Sequence, residues 1–170
     1  RHAVYLTLGT GVGGALLLDG KPYRGKDNVG AELGHMITHA GGRACVCGRR
    51  GCLEQYASAT ALKRYAKGMP VRDLLERVQS NDPDCVRVFD RYAREVAIGL
   101  SSLAAIFAPE RLVLGGGVSN AGPLLLEAVG RHFRGPVSLA QQQIPKLLPE
   151  FLARYPQVRV QMHVSNRRVD

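Results

Sequence analysis

At 170 residues, 45% apolar and 22% charged, the chain has apolar content enough for a buried core and reads as one soluble domain, or one and a fraction. No apolar run approaches the ~18 residues that a membrane-spanning helix needs, and no charged-then-apolar leader opens the sequence. The formal charge of +9 favours phosphate-bearing partners, yet the basic residues pair at most two at a time (Arg49-Arg50, Arg167-Arg168), as on a solvated surface. Nucleic acid is therefore not an expected partner. Four cysteines, three of them clustered, fit a reducing cytoplasm better than a secreted disulfide scaffold.

Ala3 to Leu8 is a short apolar run of β-formers that leads into Gly9-Thr10-Gly11-Val12-Gly13-Gly14, after which Ala15 to Leu18 is apolar again. Strand, glycine loop, strand is the expected order, with Asp19-Gly20 turning a hairpin into Lys21–Arg24. Glycines let backbone N–H groups approach a phosphate. No helix follows and no Lys-Ser/Thr pair closes the loop, so a dinucleotide fingerprint and a Walker loop are both excluded, and a plain β-turn is an equal reading.

Val29 to His39 reads as a loop entering a strand. Within it Glu32-Leu33-Gly34-His35 precedes Cys45-Val46-Cys47-Gly48-Arg49-Arg50-Gly51-Cys52-Leu53-Glu54. One His and three Cys form the kind of four-ligand set that structural zinc takes, with Gly48 and Gly51 allowing a tight knuckle. A Cys45–Cys47 disulfide would close a small strained ring, and three cysteines cannot all pair among themselves. Glu32 and Glu54 flank the cluster. Ionised oxygens there suit the hydroxyls of a polyhydroxylated ligand, although solvation or a helix first turn would explain Glu54 equally.

Helix is expected from Cys52 to Lys67, broken near Ser58 as an N-cap for Ala59–Lys67 and ended by Gly68. A short amphipathic helix follows at Val71–Gln79. Asp82-Pro83 then starts a long helix in which Val86, Phe89, Tyr92, Val96, Leu100, Leu103 and Phe107 recur every three or four residues. Small residues at Ala97, Gly99, Ser101, Ser102, Ala104 and Ala105 suggest close packing on a sheet, and Cys85 reads as an inert core thiol. Arg111–Leu114 is a buried strand, Gly115-Gly116-Gly117-Val118-Ser119 a turn, Asn120 a cap and Pro123 the start of a helix reaching about Phe133. Strand, glycine turn and helix together suit an anion or nucleotide.

The Glu-x-Gly-His and Cys-x-Cys-Gly-x-x-Gly-Cys-x-Glu pattern, with the two glycine motifs in order around it, resembles the ROK family of bacterial sugar kinases and sugar-responsive repressors. The resemblance covers residues 3 to about 134. It implies an α/β fold: the C-terminal lobe of an actin-like, ribonuclease-H-like sugar kinase carrying a zinc-binding loop, with the first lobe absent. By the same resemblance His35, Cys45, Cys47 and Cys52 hold structural Zn²⁺, and Glu32, His35 and Glu54 contact the sugar. Thr10, Gly11, Gly115, Gly116 and Gly117 face ATP with its Mg²⁺. His35 can serve both metal and sugar because its ring nitrogens are distinct.

The implied activity is ATP-dependent phosphorylation of a hexose by a glucokinase-like enzyme, in a cytoplasmic homodimer. The alternatives are a sugar-sensing repressor domain or an inactive truncated or fused gene product. No residue here takes the role of the family's general base, which is expected upstream of residue 1. Residues 135–170 change character: strand, helix and an alternating strand at Val158–Val164 resemble the opening of the effector-binding domain of LysR-type regulators. A domain at 1–134 with a foreign tail at 135–170 is the expected organisation.

Overall fold

A four-stranded mixed sheet frames the computed structural model, which describes residues 1–135. β1 (Ala3–Leu8) pairs antiparallel with β2 (Val12–Leu18), and β2 in turn with the two-residue β3 (Lys21–Pro22). β4 (Arg111–Gly115) lies parallel to β1 on its other side, with Ala3 opposite Arg111 and Thr7 opposite Gly115. The strand order is β3-β2-β1-β4. Asp19 and Gly20 turn β2 into β3 with φ of 52° and 77°, the pair of positive angles that matches the twist of a hairpin.

Alternation along the strands decides which sheet face is covered. Val4, Leu6 and Leu8 of β1, Leu16 of β2, and Leu112 and Leu114 of β4 are buried together in one core. The helices supply the other half: α1 (Glu54–Ala57), α2 (Ala59–Tyr65), α3 (Val71–Gln79), α4 (Pro83–Phe107) and α5 (Pro123–His132). Asp82 caps α4 by accepting from the Asp84 and Cys85 N–H groups, and Pro83 occupies the first helical turn, where its missing N–H costs nothing. Phe89, Tyr92, Val96, Leu100 and Leu103 are buried as their spacing predicts, and so is Cys85. Val86 and Phe107 sit half-buried at the ends of this stripe.

Among the small residues of α4, Gly99 serves a different neighbour from the one expected. Ala97, Gly99 and Ala104 are buried, but Ala105 is exposed. A Cβ on Gly99 would lie 2.6–2.8 Å from the methyls of Leu53, so this glycine admits the chain leaving the cysteine knuckle rather than a strand. Tyr92, wholly buried, donates its hydroxyl to Ala57 O at 2.8 Å and ties the end of α1 to α4. Burial pushes its phenol well above the usual range, so it stays a donor. Tyr92→Phe leaves Ala57 O without this donor and is expected to cost about 1–2 kcal/mol. Urea unfolding of the two proteins checks it.

Three local expectations differ from the structure. The segment at 29–39 holds a 3-10 turn at Leu33–His35 and one bridge, Ile37 to Cys52, instead of a strand. β2 starts at Val12, earlier than its apolar run, because Gly13 and Gly14 pair with Thr7 and Leu6 through backbone alone. Asn120 is not a cap: Gly117–Ala121 forms a 3-10 turn, and Gly122, with φ of 56°, precedes α5. Ser58 does cap α2, accepting from Ala61 N–H at 3.1 Å. The strand–helix–strand expectation for the tail falls, apart from Gly135, outside the described residues.

Candidate functional site

The parallel pairing of β1 and β4 sends both glycine motifs off the same edge of the sheet. Thr7 is level with Gly115, so the Gly9–Val12 loop and the Gly115–Gly117 turn leave from the carboxyl ends of adjacent strands. In open α/β sheets this is the edge where ligands bind. A Cβ on Gly116 would meet Leu8 N, O and C at 2.7–2.8 Å, so the turn lies directly against the end of β1.

Two further glycines bring the Glu32–His35 turn to this edge. A Cβ on Gly34 would run into Val12 O, and one on Gly14 would meet Ala31 O and the Leu33 side chain at 2.5–2.6 Å. Glu32 is exposed and His35 half-buried, flanking the Leu33-Gly34 pair that packs on β2.

The knuckle folds on its own backbone bonds. Cys45 N–H donates to Arg49 O at 2.9 Å, Gly48 N–H to Cys45 O at 3.0 Å and Gly51 N–H to Arg43 O at 2.8 Å. Gly48 and Gly51 both have φ of 83°, the left-handed conformation that the bend requires. His39 stacks on Tyr56 with ring centroids 3.9 Å apart, its Nε2 lies 3.3 Å from the largely buried Glu95 of α4, and the Tyr56 hydroxyl accepts from Arg43 N–H at 2.8 Å. This second bracket between knuckle and long helix has no sequence signal, because His39, Tyr56 and Glu95 lie far apart along the chain.

The His35, Cys45, Cys47 and Cys52 ligand atoms all lie within 4.8 Å of one another. Cys45 Sγ is 3.6 Å from His35 Nδ1, and Cys47 Sγ is 3.6 Å from Cys52 Sγ. A tetrahedral ion with Zn–S of ~2.3 Å and Zn–N of ~2.0 Å separates its ligand atoms by about 3.5–3.8 Å, so these residues fit such an ion. The electrostatics agree. The Arg49 N–H holds the Cys47 thiol below its ordinary range, whereas burial and then the neighbouring thiols push Cys52 up to about 12. Packed thiols that resist shared ionisation are relieved by a divalent cation at their centre. With Nδ1 turned into the cluster, Nε2 is the ring nitrogen of His35 left for another partner.

Glu54 reaches from the knuckle to the glycine loop. Its Oε2 accepts from Val12 N–H at 3.2 Å, and its Oε1 lies 3.7 Å from Cys45 Sγ. A Cβ on Gly11 would collide with the same carboxylate. The rest of the loop is fixed from the start of α2: Ala59 N–H donates to Gly9 O at 2.7 Å, and the Thr60 hydroxyl to Thr10 O at 2.8 Å. Gly9 N–H closes on Gly11 O at 3.0 Å. With these bonds made, the N–H groups of Thr10 and Gly11 are the two in the loop without an acceptor among the described residues. Two free amides, with the Gly9 and Thr10 carbonyls bonded to α2, are the kind of donors that an anion takes. Thr60 and Ala59 carry no motif, and sequence reasoning missed them.

Residues 1–154 match the sequence profile of the ROK family, which carries the likeness past residue 134, where the motifs end. The chain is 34% identical over 173 aligned residues to a glucokinase of Thermotoga maritima, covering 91% of this chain and 51% of that protein. It is 26% identical over 158 residues to the xylose repressor of Bacillus spizizenii, covering 91% of this chain and 41% of the repressor. Among solved structures, a ROK family glucokinase from Streptomyces griseus, in complex with glucose and AMPPNP, superposes with a TM-score of 0.75. The identity is 34%, with 80% of this chain and 52% of that one covered. The chain thus spans about half the length of the curated glucokinase it matches.

Proposed function

Since the chain belongs to the ROK family, we propose that it is the sugar- and zinc-binding lobe of an ATP-dependent hexose kinase of the glucokinase type. The observation that carries this reading is the convergence of three motifs on one sheet edge: the Glu32–His35 turn, the Gly9–Val12 loop and the Gly115–Gly117 turn. Relatives named glucokinase, and a likeness to a glucokinase structure holding glucose and AMPPNP, support it.

In this reading Glu32, His35 Nε2 and Glu54 hydrogen-bond the hexose hydroxyls. The Thr10 and Gly11 amides take phosphate oxygens of ATP·Mg²⁺, and the Gly115–Gly117 turn takes its adenosine end. His35 Nδ1, Cys45, Cys47 and Cys52 hold Zn²⁺, which fixes the knuckle; four protein ligands complete its coordination. The chain's own residues orient the hydroxyl and the phosphates. The base that receives the hydroxyl proton is assigned to none of residues 1–170, and positioning alone does not complete phosphoryl transfer. The protein acts in the cytoplasm as a homodimer.

The xylose-repressor likeness gives a second reading, a sugar-sensing regulatory domain. The two free amides of the glycine loop favour the kinase, because sugar sensing has no use for a phosphate cradle.

The test is calorimetry of the zinc-loaded chain against glucose, fructose, N-acetylglucosamine and N-acetylmannosamine, beside a coupled ATP-to-ADP assay. Binding of one hexose, lost in Glu32→Gln, with no turnover, is the expected result. No binding across the panel would sink the proposal, and turnover would place the base within this chain.

A further inference from the structure

We propose that the Glu54–Thr60 segment is a clamp that couples metal binding at the cysteine knuckle to nucleotide binding at the Gly9–Val12 loop, with Thr60 as its positioning residue. The nucleotide half of this statement rests on the kinase reading above; the mechanical half does not.

Each loop residue is tied to the segment after the last cysteine or to the turn before the knuckle. Gly9 O accepts from Ala59 N–H, Thr10 O from the Thr60 hydroxyl, and Val12 N–H donates to Glu54 Oε2. Gly11 lies against the Glu54 carboxylate, and Val12 O lies against Gly34, one residue before His35. A glycine-rich loop loses much conformational freedom when it binds an anion, so bonds that fix it beforehand strengthen binding.

The clamp is anchored at the metal end. Glu54 sits two residues after Cys52, in the first turn of α1. Four-residue α1 has little stability of its own as a helix. Coordination of Cys52 therefore joins the packing of Leu53 on Gly99 and the Tyr92–Ala57 bond in setting where Glu54 stands, and through Ser58 where α2 begins. Thr60 turns this into loop geometry: bonded to its hydroxyl, Thr10 O faces α2, which turns the Gly11 N–H of the same peptide away, as the Ala59 bond to Gly9 O does for the Thr10 N–H. Binding at two sites that share such an element is reciprocal, so metal occupancy strengthens nucleotide binding.

Amide exchange and amide shifts of the whole chain test the clamp. Without nucleotide, removing zinc with a chelator is expected to speed exchange at Val12 N–H at least about tenfold, as its acceptor is released. In the zinc-loaded protein, MgATP is expected to shift the Thr10 and Gly11 amides. Thr60→Val, with zinc content unchanged, should weaken that titration about fivefold, the weight of one hydrogen bond, and Thr60→Ser should restore it. Unchanged Val12 exchange after chelation, or a Thr60→Val protein that titrates as the parent does, would overturn the clamp. If MgATP shifts neither amide in the parent, it is the kinase reading of the loop that fails, and Val12 exchange then decides the clamp by itself.

Discussion

Cys47→Ser is expected to lose the bound metal and release the knuckle from residue 35 to residue 54. Cys47 is the exposed member of the set, so its replacement disturbs no core packing and isolates the role of the ligand. Few buried side chains hold this stretch: Cys45, Cys52 and Leu53 are buried, while Ile37 and Val46 are 52% and 93% exposed. Beyond short backbone turns and the His39–Tyr56–Glu95 bracket, the proposed ion would be the cross-link. Apparent binding free energies of structural zinc in small peptides are about 10–16 kcal/mol, of which a fold with its own core needs only a part.

We expect a loss of about 3 kcal/mol, which lowers Tm by roughly 10 °C in a chain of this size. Metal content by atomic absorption and a thermal melt read the two effects together. Cys85→Ser is the matched control, since that thiol lies in the core of α4, away from the cluster, and zinc stoichiometry should not change. A Cys47→Ser protein with full metal content and an unchanged melt would remove Cys47 from the ligand set.

The second large effect is expected at Gly116. Its φ of 86° and ψ of 178° lie in a region that only glycine occupies readily. An added Cβ would also press on the backbone of Leu8, whose side chain is fully buried. No rotamer relieves a contact with main chain, so Gly116→Ala forces β1 and β4 apart where they pair most closely with the site. The cost is expected to reach about 3 kcal/mol or more, the conformational strain and the clash acting together. Gly117→Ala is the contrast: nothing lies within 4 Å of a Cβ there, so its stability should stay within about 0.5 kcal/mol of the parent. Denaturant titration of both separates a strained position from a merely glycine-rich one.

These two substitutions mark the line between what was legible and what was not. The clustering of His35 with Cys45, Cys47 and Cys52 was legible because metal chemistry demands particular atoms at short spacing, and the three cysteines announce themselves within eight positions. α4 was legible because burial along one face repeats every three or four residues, and Asp82-Pro83 is a start signal written in local chemistry. β1 and β4 were legible as apolar runs next to glycine. The boundary of β2 was not, because Gly13 and Gly14 join the ladder through backbone atoms that no side chain reports.

The assignment of Asn120 as a cap failed for a related reason. Asn is a good cap residue, but the chain continues through a 3-10 turn and the break falls at Gly122, where positive φ is available. Gly99 of α4 was read correctly as close packing and given the wrong neighbour, since Leu53 reaches it across 46 residues of sequence.

By itself, then, the sequence determined most of the helices and strands, the His–Cys cluster as a candidate ligand set, the charge and apolar patterning, and the family kinship. All of these follow from residue chemistry and from spacings shorter than a helix. The tertiary structure decided that β1 and β4 are parallel neighbours, so that two glycine motifs a hundred residues apart leave one edge together. It also decided that Glu54, Ala59 and Thr60 hold two carbonyls and one amide of the Gly9–Val12 loop, with two amides left without an acceptor among the described residues. Such bonds join residues about 40–50 positions apart and depend on the orientation of backbone groups, which every residue type carries alike. No pattern of side chains could have announced them.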